Sequence, residues 1–385
     1  MSLDVFRGAT IASMMLVNNP GSWDAVYGQL DHAEWNGWTF TDLIFPFFLW
    51  IVGVAIPLST ARRIERGESR RALFLHAARR AVIIFGLGIF LAFFSFTLNG
   101  SYAKAGGFGP WMQEVAATIR IPGVLQRIAV CYLIASAIFL CTRVRGQIAW
   151  LAGLLAGYWL LMKLAPVPGH GAGVLTKEGN FSAYVDGIVL GKHTWRGMPW
   201  DPEGVVSTIP AIATCLFGIL TGQLLQMKRS VEQKTAWLFV AGNLLMFAGA
   251  IMNIWLPINK NLWTSTYAVF MAGLAMDIFA VFYWLVDVKG YQRWAKPFAI
   301  YGMNAITVFM LSGVLGRITL EIKVSDPAGK AVALKSHLFE SFFNGPLSHL
   351  GFDPKICSLS WAVVYMIGLY LIAHGMYRLK WFVRF

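Results

Sequence analysis

The sequence predicts an all-α integral membrane protein with about ten transmembrane helices, and three observations support this fold class. Of the 385 residues, 57% are hydrophobic and only 13% are charged, whereas roughly 25% are charged in an ordinary soluble domain. Apolar runs follow one another along the chain, each near the ~20 residues that a helix needs to span a bilayer. No internal repeat or low-complexity segment is evident, so residues 1–385 are predicted to form a single polytopic membrane domain.

The positions of the apolar runs give the order of the helices. They are predicted at residues 4–19, 39–59, 80–98, 122–141, 147–164, 205–225, 236–256, 265–286, 297–316 and 359–378. The gaps between them alternate in character. One set is short and basic, whereas the other is long, rich in Gly, Pro and Trp, and poor in net positive charge. The larger loops of the second set are residues 99–121, 165–204 and 317–358.

Most of the Lys and Arg residues outside the helices lie in every second gap. The basic gaps carry Arg62, Arg63, Arg66, Arg70, Arg71, Arg143, Arg145, Lys228, Arg229, Lys234, Lys289, Arg293, Lys296, Arg378, Lys380 and Arg384. This is the positive-inside pattern, which places both termini in the cytoplasm and the larger loops on the opposite side. A bacterial inner membrane is the expected location, with these loops in the periplasm. The net charge of +13 therefore indicates membrane orientation, and no nucleic-acid partner is expected.

Polar side chains within or beside the apolar runs are the candidates for function, because burying them in a membrane is costly. In the first helix, Arg7 either pairs with Asp4 or offers its guanidinium to a phosphate, and Asn18 lies at the far end. The segment 31–39 places His32 among acids, amides and indoles at the mouth of the next helix. A neutral imidazole in such a position is suited to act as a general base. The four cysteines show no metal-ligand spacing, and no metal is expected.

Eight short stretches together carry a family resemblance. In order along residues 3 to about 306 they are LDVFRG, VNN, HAEWNGWTFTDLIFPFF, RIPGVLQRI, DPEGVVSTI, PINKNLWTSTY, DVKG and YGMNAI. In these stretches the chain resembles the heparan-α-glucosaminide N-acetyltransferase family and its bacterial inner-membrane relatives linked to N-acetylglucosamine use. The resemblance implies that acetyl-CoA binds from the cytosol and that its acetyl group reaches the amine of glucosamine, or of a terminal glucosamine residue, on the far side. It also implies a homodimer.

The resemblance assigns roles to particular residues. The active histidine of the family falls on His32, its neighbouring asparagine on Asn18, its second-helix aspartate on Asp42 and its N-terminal arginine on Arg7. His32 would take a proton from the acceptor amine, and the Asn18 amide would donate to the oxygen of the tetrahedral intermediate. Asp42 would orient either His32 or a pantetheine amide, and both roles remain open.

The full set of predicted site residues follows from these assignments and from polar clusters in the predicted outer loops. Donor-binding residues are expected to be Arg7, Asp42, Arg62, Arg63 and Asn304. Acceptor-binding residues are expected to be Trp35, Asn36, Asp201, Glu203, Asn259 and Lys260.

Two other functions remain open at this stage. One is a transporter for amino sugars or N-acetylglucosamine, and the other is an O- or N-acyltransferase that modifies a different glycan of the cell envelope. Within the acetyltransferase interpretation, an acetyl-histidine intermediate is an alternative to direct transfer in a ternary complex. Direct transfer is favoured, since a single base suffices.

Overall fold

The computed structural model describes residues 1–326 and 329–383, so Arg384 and residues 327–328 of the loop 317–358 lie outside the described chain. The described residues are mostly helical. The helices are α1 (Ser2–Asn18), α2 (Phe40–Glu65), α3 (Arg70–Leu98), α4 (Ser101–Ala105), α5 (Phe108–Thr118), α6 (Val124–Cys141), α7 (Val144–Leu164), α8 (Phe181–Val189), α9 (Thr208–Gln226), α10 (Val231–Met252), α11 (Ser265–Tyr283, continued by a π-helical turn to Val288), α12 (Lys296–Met303), α13 (Ala305–Glu321), α14 (Leu334–Phe339), α15 (Gly345–His349) and α16 (Pro354–Arg378). Two short antiparallel hairpins pair β1 (Pro166–Val167) with β2 (Gly171–Ala172) and β3 (Lys323–Ser325) with β4 (Ala331–Ala333).

Eight helices of the described chain are long and apolar enough to cross a membrane. They are α2, α3, α6, α7, α9, α10, α11 with its π-helical turn, and α16. A ninth candidate is the pair α12 and α13, which is bent by 76°. The predicted all-α membrane fold is confirmed, with eight or nine spans by length and composition against about ten predicted. The first predicted helix is α1, whose 17 residues make it shorter than any of the eight.

The ninth predicted helix is broken at Asn304, where α12 ends and α13 begins. Asn304 has φ −116° and ψ 29°, which are not helical values. Asparagine is poorly suited to a helix interior, because its short amide competes for backbone hydrogen bonds. Beside the break, Gly302 packs directly against α1, and a Cβ atom there would lie 2.0 Å from the Asp4 carbonyl oxygen. The break therefore lies where α12 and α1 approach backbone to backbone.

Helices α2 and α9 pack closely at the centre of the bundle. Gly53 on α2 and Gly218 on α9 lack side chains where the helices meet, and a Cβ atom on Gly53 would lie 2.0 Å from the Cys215 carbonyl oxygen. Small residues allow such close approach between helices in lipid, where van der Waals packing contributes much of the stability. Trp50, near this contact, is fully buried. This packing holds α2 in place, and another face of the same helix lines an internal cavity.

The three larger predicted loops contain short secondary-structure elements. Residues 99–121 include α4 and α5, and residues 165–204 include the β1–β2 hairpin and α8. The described part of residues 317–358 includes the β3–β4 hairpin, α14 and α15. These segments are therefore folded structures that can position side chains at the end of the bundle.

Several loops meet at one end of the bundle, which we call the His32 end. The backbone N–H of Gly37 donates to the carbonyl oxygen of Ile258 at 2.7 Å, and that of Ile121 donates to the carbonyl oxygen of His193 at 3.0 Å. These bonds join loops that are distant in sequence. His32 lies within this group.

The opposite end, which we call the Arg7 end, holds the start of α1 and the short basic gaps. Ser2 Oγ donates to the Asp287 carboxylate at 2.5 Å. Helix α3 begins here at Arg70, ten residues before its predicted start, and the Ser69 hydroxyl accepts from a backbone N–H of its first turn. The basic segment between the second and third predicted helices is therefore mostly helical. The cytoplasmic location of this end stays a prediction.

Candidate active site

A cavity of about 830 Å³ joins the two ends of the bundle. Its lining at the His32 end includes Asn18, His32, Glu203 and Lys260. Its lining at the Arg7 end includes Asp4, Arg7, Arg62, Arg80 and Val383. Helix α2 contributes lining residues from Thr41 to Arg62, a distance of roughly 30 Å at the helical rise per residue. That distance is close to the ~30 Å thickness of the hydrocarbon core of a bilayer.

The wall between these two ends is mainly apolar. Helices α1, α2, α6 and α13 contribute Met14, Val17, Ile44, Phe45, Phe48, Ile51, Val52, Ala55, Val124, Leu125, Ile128, Ile306 and Phe309. The charged side chains of the lining are therefore confined to the two ends. A ligand that fills the cavity needs a long, slender middle part and polar groups at its ends.

His32 and Asp42 form a hydrogen-bonded pair at the His32 end. His32 Nδ1 lies 2.7 Å from Asp42 Oδ1. The side chain of His32 is 45% exposed and that of Asp42 is 1% exposed. Because an ionised carboxylate only accepts hydrogen bonds, this contact assigns the ring proton to Nδ1 and leaves Nε2 as the acceptor. Asp42 therefore positions the ring, and His32 Nε2 is available to take a proton.

The Asp42 carboxylate is held by its local sequence. Its Oδ2 accepts from the backbone N–H of Ala33 at 3.0 Å and from that of Thr39 at 3.1 Å. Thr39 immediately precedes α2, so Asp42 supplies the acidic half of a capping box at the start of this helix. The helix N-terminus also stabilises a negative charge in this position. The predicted second-helix aspartate thus lies behind His32, and it is not among the residues that line the cavity.

Lys260 lies against the His32–Asp42 pair from the loop between α10 and α11. Its Nζ is 3.2 Å from Asp42 Oδ1, 2.9 Å from His32 Nδ1 and 3.4 Å from His32 Nε2. Burial lowers the pKa of the Lys260 ammonium, and the Asp42 carboxylate opposes this effect. With His32 neutral, the ammonium of Lys260 and the carboxylate of Asp42 balance in charge.

Glu203 reaches the cavity from a loop that is fixed by Arg120. The Arg120 guanidinium donates to Asp201 from Nε at 2.9 Å and from Nη2 at 2.7 Å, and Nη2 also donates to the Glu203 carboxylate. Burial disfavours the charged form of Arg120, but the carboxylates of Glu203 and Asp201 outweigh it and raise the pKa of the guanidinium. The Asp201 carboxylate also accepts from the backbone N–H of Trp195 at 2.6 Å. Asp201 therefore organises this loop, whereas Glu203 lines the cavity.

A second buried carboxylate, Asp186 on α8, supports the same loop. It accepts from the backbone N–H of Val205 at 2.9 Å and from that of Asp201 at 3.3 Å. Gly204 passes so close that a Cβ atom there would lie 2.0 Å from Asp186 Oδ2. Burial raises the pKa of Asp186 to about 6, although the two backbone donors stabilise its charged form. The backbone of residues 201–205 therefore packs against this carboxylate.

Replacing Arg120 with glutamine is expected to destabilise the protein by about 3 kcal/mol, because it leaves the buried Asp201 carboxylate without its cation. The measurement is the midpoint of thermal unfolding in detergent. Arg196→Gln is the matched control, since the exposed Arg196 guanidinium only lies over the Trp195 ring at 4.8 Å from its centroid. Equal midpoints for the two variants would show that the Arg120 ion pairs do not stabilise the loop.

Six of the predicted site residues line the cavity. They are Arg7, Asn18, His32, Arg62, Glu203 and Lys260. The other seven do not line it, and the side chains of six of these, all but Asn304, form hydrogen bonds within the described part of the protein. Arg63 donates to Glu68 from Nε at 2.9 Å and from Nη2 at 2.5 Å. Trp35 Nε1 donates to the Leu175 carbonyl oxygen at 2.7 Å, and its ring meets that of Trp200 edge-on at 5.5 Å.

Two of the predicted amide residues, Asn36 and Asn259, join loops of the His32 end. Asn259 is fully buried, its Nδ2 donates to Asn36 Oδ1 at 3.1 Å, and its Oδ1 accepts from the backbone N–H of Leu262 at 2.9 Å. Asn304 is also fully buried, but neither atom of its amide has a hydrogen-bond partner among the described residues. Neither Asn259 nor Asn304 is among the residues that line the cavity.

Two residues that the structure brings to the site were not predicted from the sequence. Arg80 lines the cavity ten residues into α3, and its guanidinium lies 5.3 Å from the centroid of the Tyr132 ring. Arg120 holds both Asp201 and Glu203. The paired arginines at 79–80 and the acids at 201–203 were the available signals, but the sequence alone does not tell which arginine faces the interior.

The fold and the site define a class of protein: a multi-pass membrane protein with an internal cavity that carries basic residues at one end and a His–Asp–Lys group at the other. Residues 2–119 match a family described as a domain of unknown function, DUF5009. Heparan-α-glucosaminide N-acetyltransferase of Homo sapiens is 31% identical over 363 residues, which covers 80% of this chain and 52% of the human protein. The Mus musculus protein of the same name is 30% identical over 364 residues, which covers 81% and 53%.

The chain is homologous to the heparan-α-glucosaminide N-acetyltransferases over about 80% of its length, as its sequence motifs predicted. It spans about half the length of the two curated relatives it matches.

Proposed function

We propose that this protein is an acyltransferase that moves the acetyl group of acetyl-CoA to the amine of glucosamine or of a terminal glucosamine residue. The donor binds from the Arg7 end, which is the cytoplasmic side in this proposal. The acceptor binds at the His32 end, on the periplasmic side of a bacterial inner membrane. The observation that carries the proposal is the cavity that joins a basic end to the His32–Asp42 pair.

Each part of the cavity lining suits one part of an acyl-CoA molecule. Arg7, Arg62 and Arg80 offer guanidinium groups to the phosphates of the nucleotide, for which bidentate charge-assisted hydrogen bonds are favourable. The apolar wall formed by α2 and α13 would accommodate the slender pantetheine arm. The thioester would then lie near His32, on the far side of the bilayer from the nucleotide. No metal-ligand group is needed for this chemistry.

The His32 end supports the proton transfers of amide formation. An acceptor amine must lose a proton before its lone pair attacks the thioester carbonyl carbon, and His32 Nε2 is the free acceptor for that proton. The N–C bond forms, the C–S bond breaks, and the proton passes from His32 to the departing thiolate of CoA, while the new amide nitrogen releases its second proton to solvent. In this proposal the Asn18 amide, which lines the cavity, donates to the carbonyl oxygen as negative charge develops there. Glu203, which also lines the cavity, accepts hydrogen bonds from sugar hydroxyls.

Replacing Arg80 with glutamine is expected to raise the KM for acetyl-CoA about tenfold with little change in kcat, because a charge-assisted phosphate contact is worth about 1.5–3 kcal/mol. CoA release is measured against acetyl-CoA concentration at saturating glucosamine. Arg79→Gln is the control, since the exposed neighbouring arginine is not among the cavity-lining residues. An unchanged KM in the Arg80 variant would place the nucleotide elsewhere.

The experiment that tests the proposed function is an assay of CoA release by purified protein in detergent, with acetyl-CoA and glucosamine. Release that depends on glucosamine and yields N-acetylglucosamine supports the proposal. Release that requires a different envelope sugar would keep the acyltransferase reaction and change the acceptor. A protein that releases no CoA with any amino sugar would contradict the proposal.

A transporter is the second candidate, and one observation favours it. The bent pair α12 and α13 interrupts a span beside a cavity that reaches both ends, and broken helices of this kind form the substrate sites of many transporters. Such transporters, however, have a matching broken helix in the other half of the fold, and the described chain has one bent pair. Uptake of labelled N-acetylglucosamine into proteoliposomes without acetyl-CoA would favour transport.

A further inference from the structure

The amine of Lys260 lies beside His32, the base that an acceptor amine needs. A general base must approach the proton it removes to within about 2.6–3.2 Å between heavy atoms. Lys260 Nζ lies 3.4 Å from His32 Nε2, the acceptor nitrogen, and 2.9 Å from Nδ1, so a shift of a few tenths of an ångström by the lysine side chain brings the amine within this range of Nε2. Both residues line the same cavity.

The charged groups around Lys260 permit it to lose a proton to His32. Asp42 Oδ1 lies 3.2 Å from Nζ and holds the amine in place as an ammonium ion. Glu203 also lines this end of the cavity, and His32 Nε2 is the free proton acceptor. Burial lowers the pKa of Lys260, with Asp42 acting against it. The ammonium group of a bound glucosamine would be subject to the same two opposing effects, burial and the charge of Asp42.

From this geometry we propose that Lys260 is a site of self-acetylation, at which Nζ takes the acetyl group of a bound acetyl thioester when no amino sugar is present. His32 Nε2 removes a proton from the Lys260 ammonium, and the freed Nζ lone pair attacks the thioester carbonyl carbon. The N–C bond forms, the C–S bond breaks, and the thiolate of CoA takes the proton from His32, while the new amide nitrogen gives up its second proton to solvent through the freed His32 Nε2. The inference rests on the proposed function for its donor, acetyl-CoA.

The product differs in kind from an acyl-enzyme intermediate. An acetyl group on Lys260 is an amide, which does not pass on to an acceptor, whereas an acetyl-imidazole on His32 is reactive. Acetylation also removes the positive charge that balances Asp42. Self-acetylation would therefore inactivate the enzyme, and a bound amino sugar would protect it by taking the acetyl group first.

The test is to incubate purified protein in detergent with acetyl-CoA alone and to map acetylated residues by mass spectrometry over time. Lys260 is expected to be acetylated at least about tenfold faster than Lys177, an exposed lysine of the same end that does not line the cavity. The label should resist hydroxylamine, decrease when glucosamine is added and form about a hundredfold more slowly in His32→Ala. Residual activity should fall in step with the Lys260 label.

Amino-sugar acetylation by the same preparation is measured in parallel, so that the two proposals fail separately. An active enzyme whose Lys260 is acetylated no faster than Lys177 would overturn self-acetylation and leave the proposed function standing. A hydroxylamine-sensitive label on His32 would also overturn it, in favour of an acetyl-histidine intermediate. An enzyme inactive on every amino sugar, with rapid labelling of Lys260 by acetyl-CoA, would contradict the proposed acceptor and support self-acetylation.

Discussion

Replacing His32 with alanine is expected to lower kcat/KM for glucosamine acetylation by about a thousandfold, because general-base catalysis contributes about 10²–10⁴ to the rate. His32 is half-exposed at the mouth of the cavity, so its removal opens no void in the packed core. The variant should therefore keep the thermal midpoint of the wild type. The rate is measured as CoA release at saturating acetyl-CoA.

His170→Ala is the matched control, since His170 is an exposed histidine of the same end that does not line the cavity. It should keep full activity. A folded His32→Ala protein that retains more than about a tenth of wild-type activity would show that another group removes the proton.

Replacing Asp42 with asparagine is expected to lower kcat by up to about 10⁴, the loss seen when the carboxylate that orients a catalytic histidine is neutralised. Two consequences act together. The amide no longer fixes the proton on His32 Nδ1, and the Lys260 ammonium loses its counter-charge at 3.2 Å. The measurement is kcat for CoA release, with the KM for acetyl-CoA recorded in the same experiment.

The KM separates the two roles that the sequence left open for Asp42. If Asp42 acts on His32, kcat falls and the KM for acetyl-CoA stays close to that of the wild type. A large rise in that KM would indicate instead that Asp42 contacts the donor. Asp24→Asn, an exposed aspartate in the loop before α2, is the control and should leave both constants unchanged.

The sequence was sufficient for the fold class because each transmembrane helix needs a long apolar run, and such runs are visible without an alignment. It did not predict the break in the ninth helix. A single asparagine within an apolar run is compatible with a continuous helix, and the break at Asn304 lies beside the close packing of Gly302 against α1. That contact joins residues almost three hundred positions apart.

Part of the candidate site was predictable and part was not. Asn18, His32 and Lys260 stand in polar stretches at helix ends, and such stretches indicate a membrane mouth. Asp201 and Glu203 are two residues apart and look alike in the sequence. Both pair with Arg120, but Asp201 is buried away from the cavity whereas Glu203 lines it. That difference depends on how Arg120 and Asp186 fold the loop, and these partners are separated in sequence from the acids that they hold.

The measurement that tests the central claim most directly is the sidedness of the reaction. The protein is reconstituted into sealed vesicles with acetyl-CoA trapped inside and glucosamine added only outside. The account predicts N-acetylglucosamine outside and CoA retained inside, in amounts that match, and no product from His32→Ala vesicles. Product that forms only when both substrates are on the same side of the membrane would contradict transfer through the cavity.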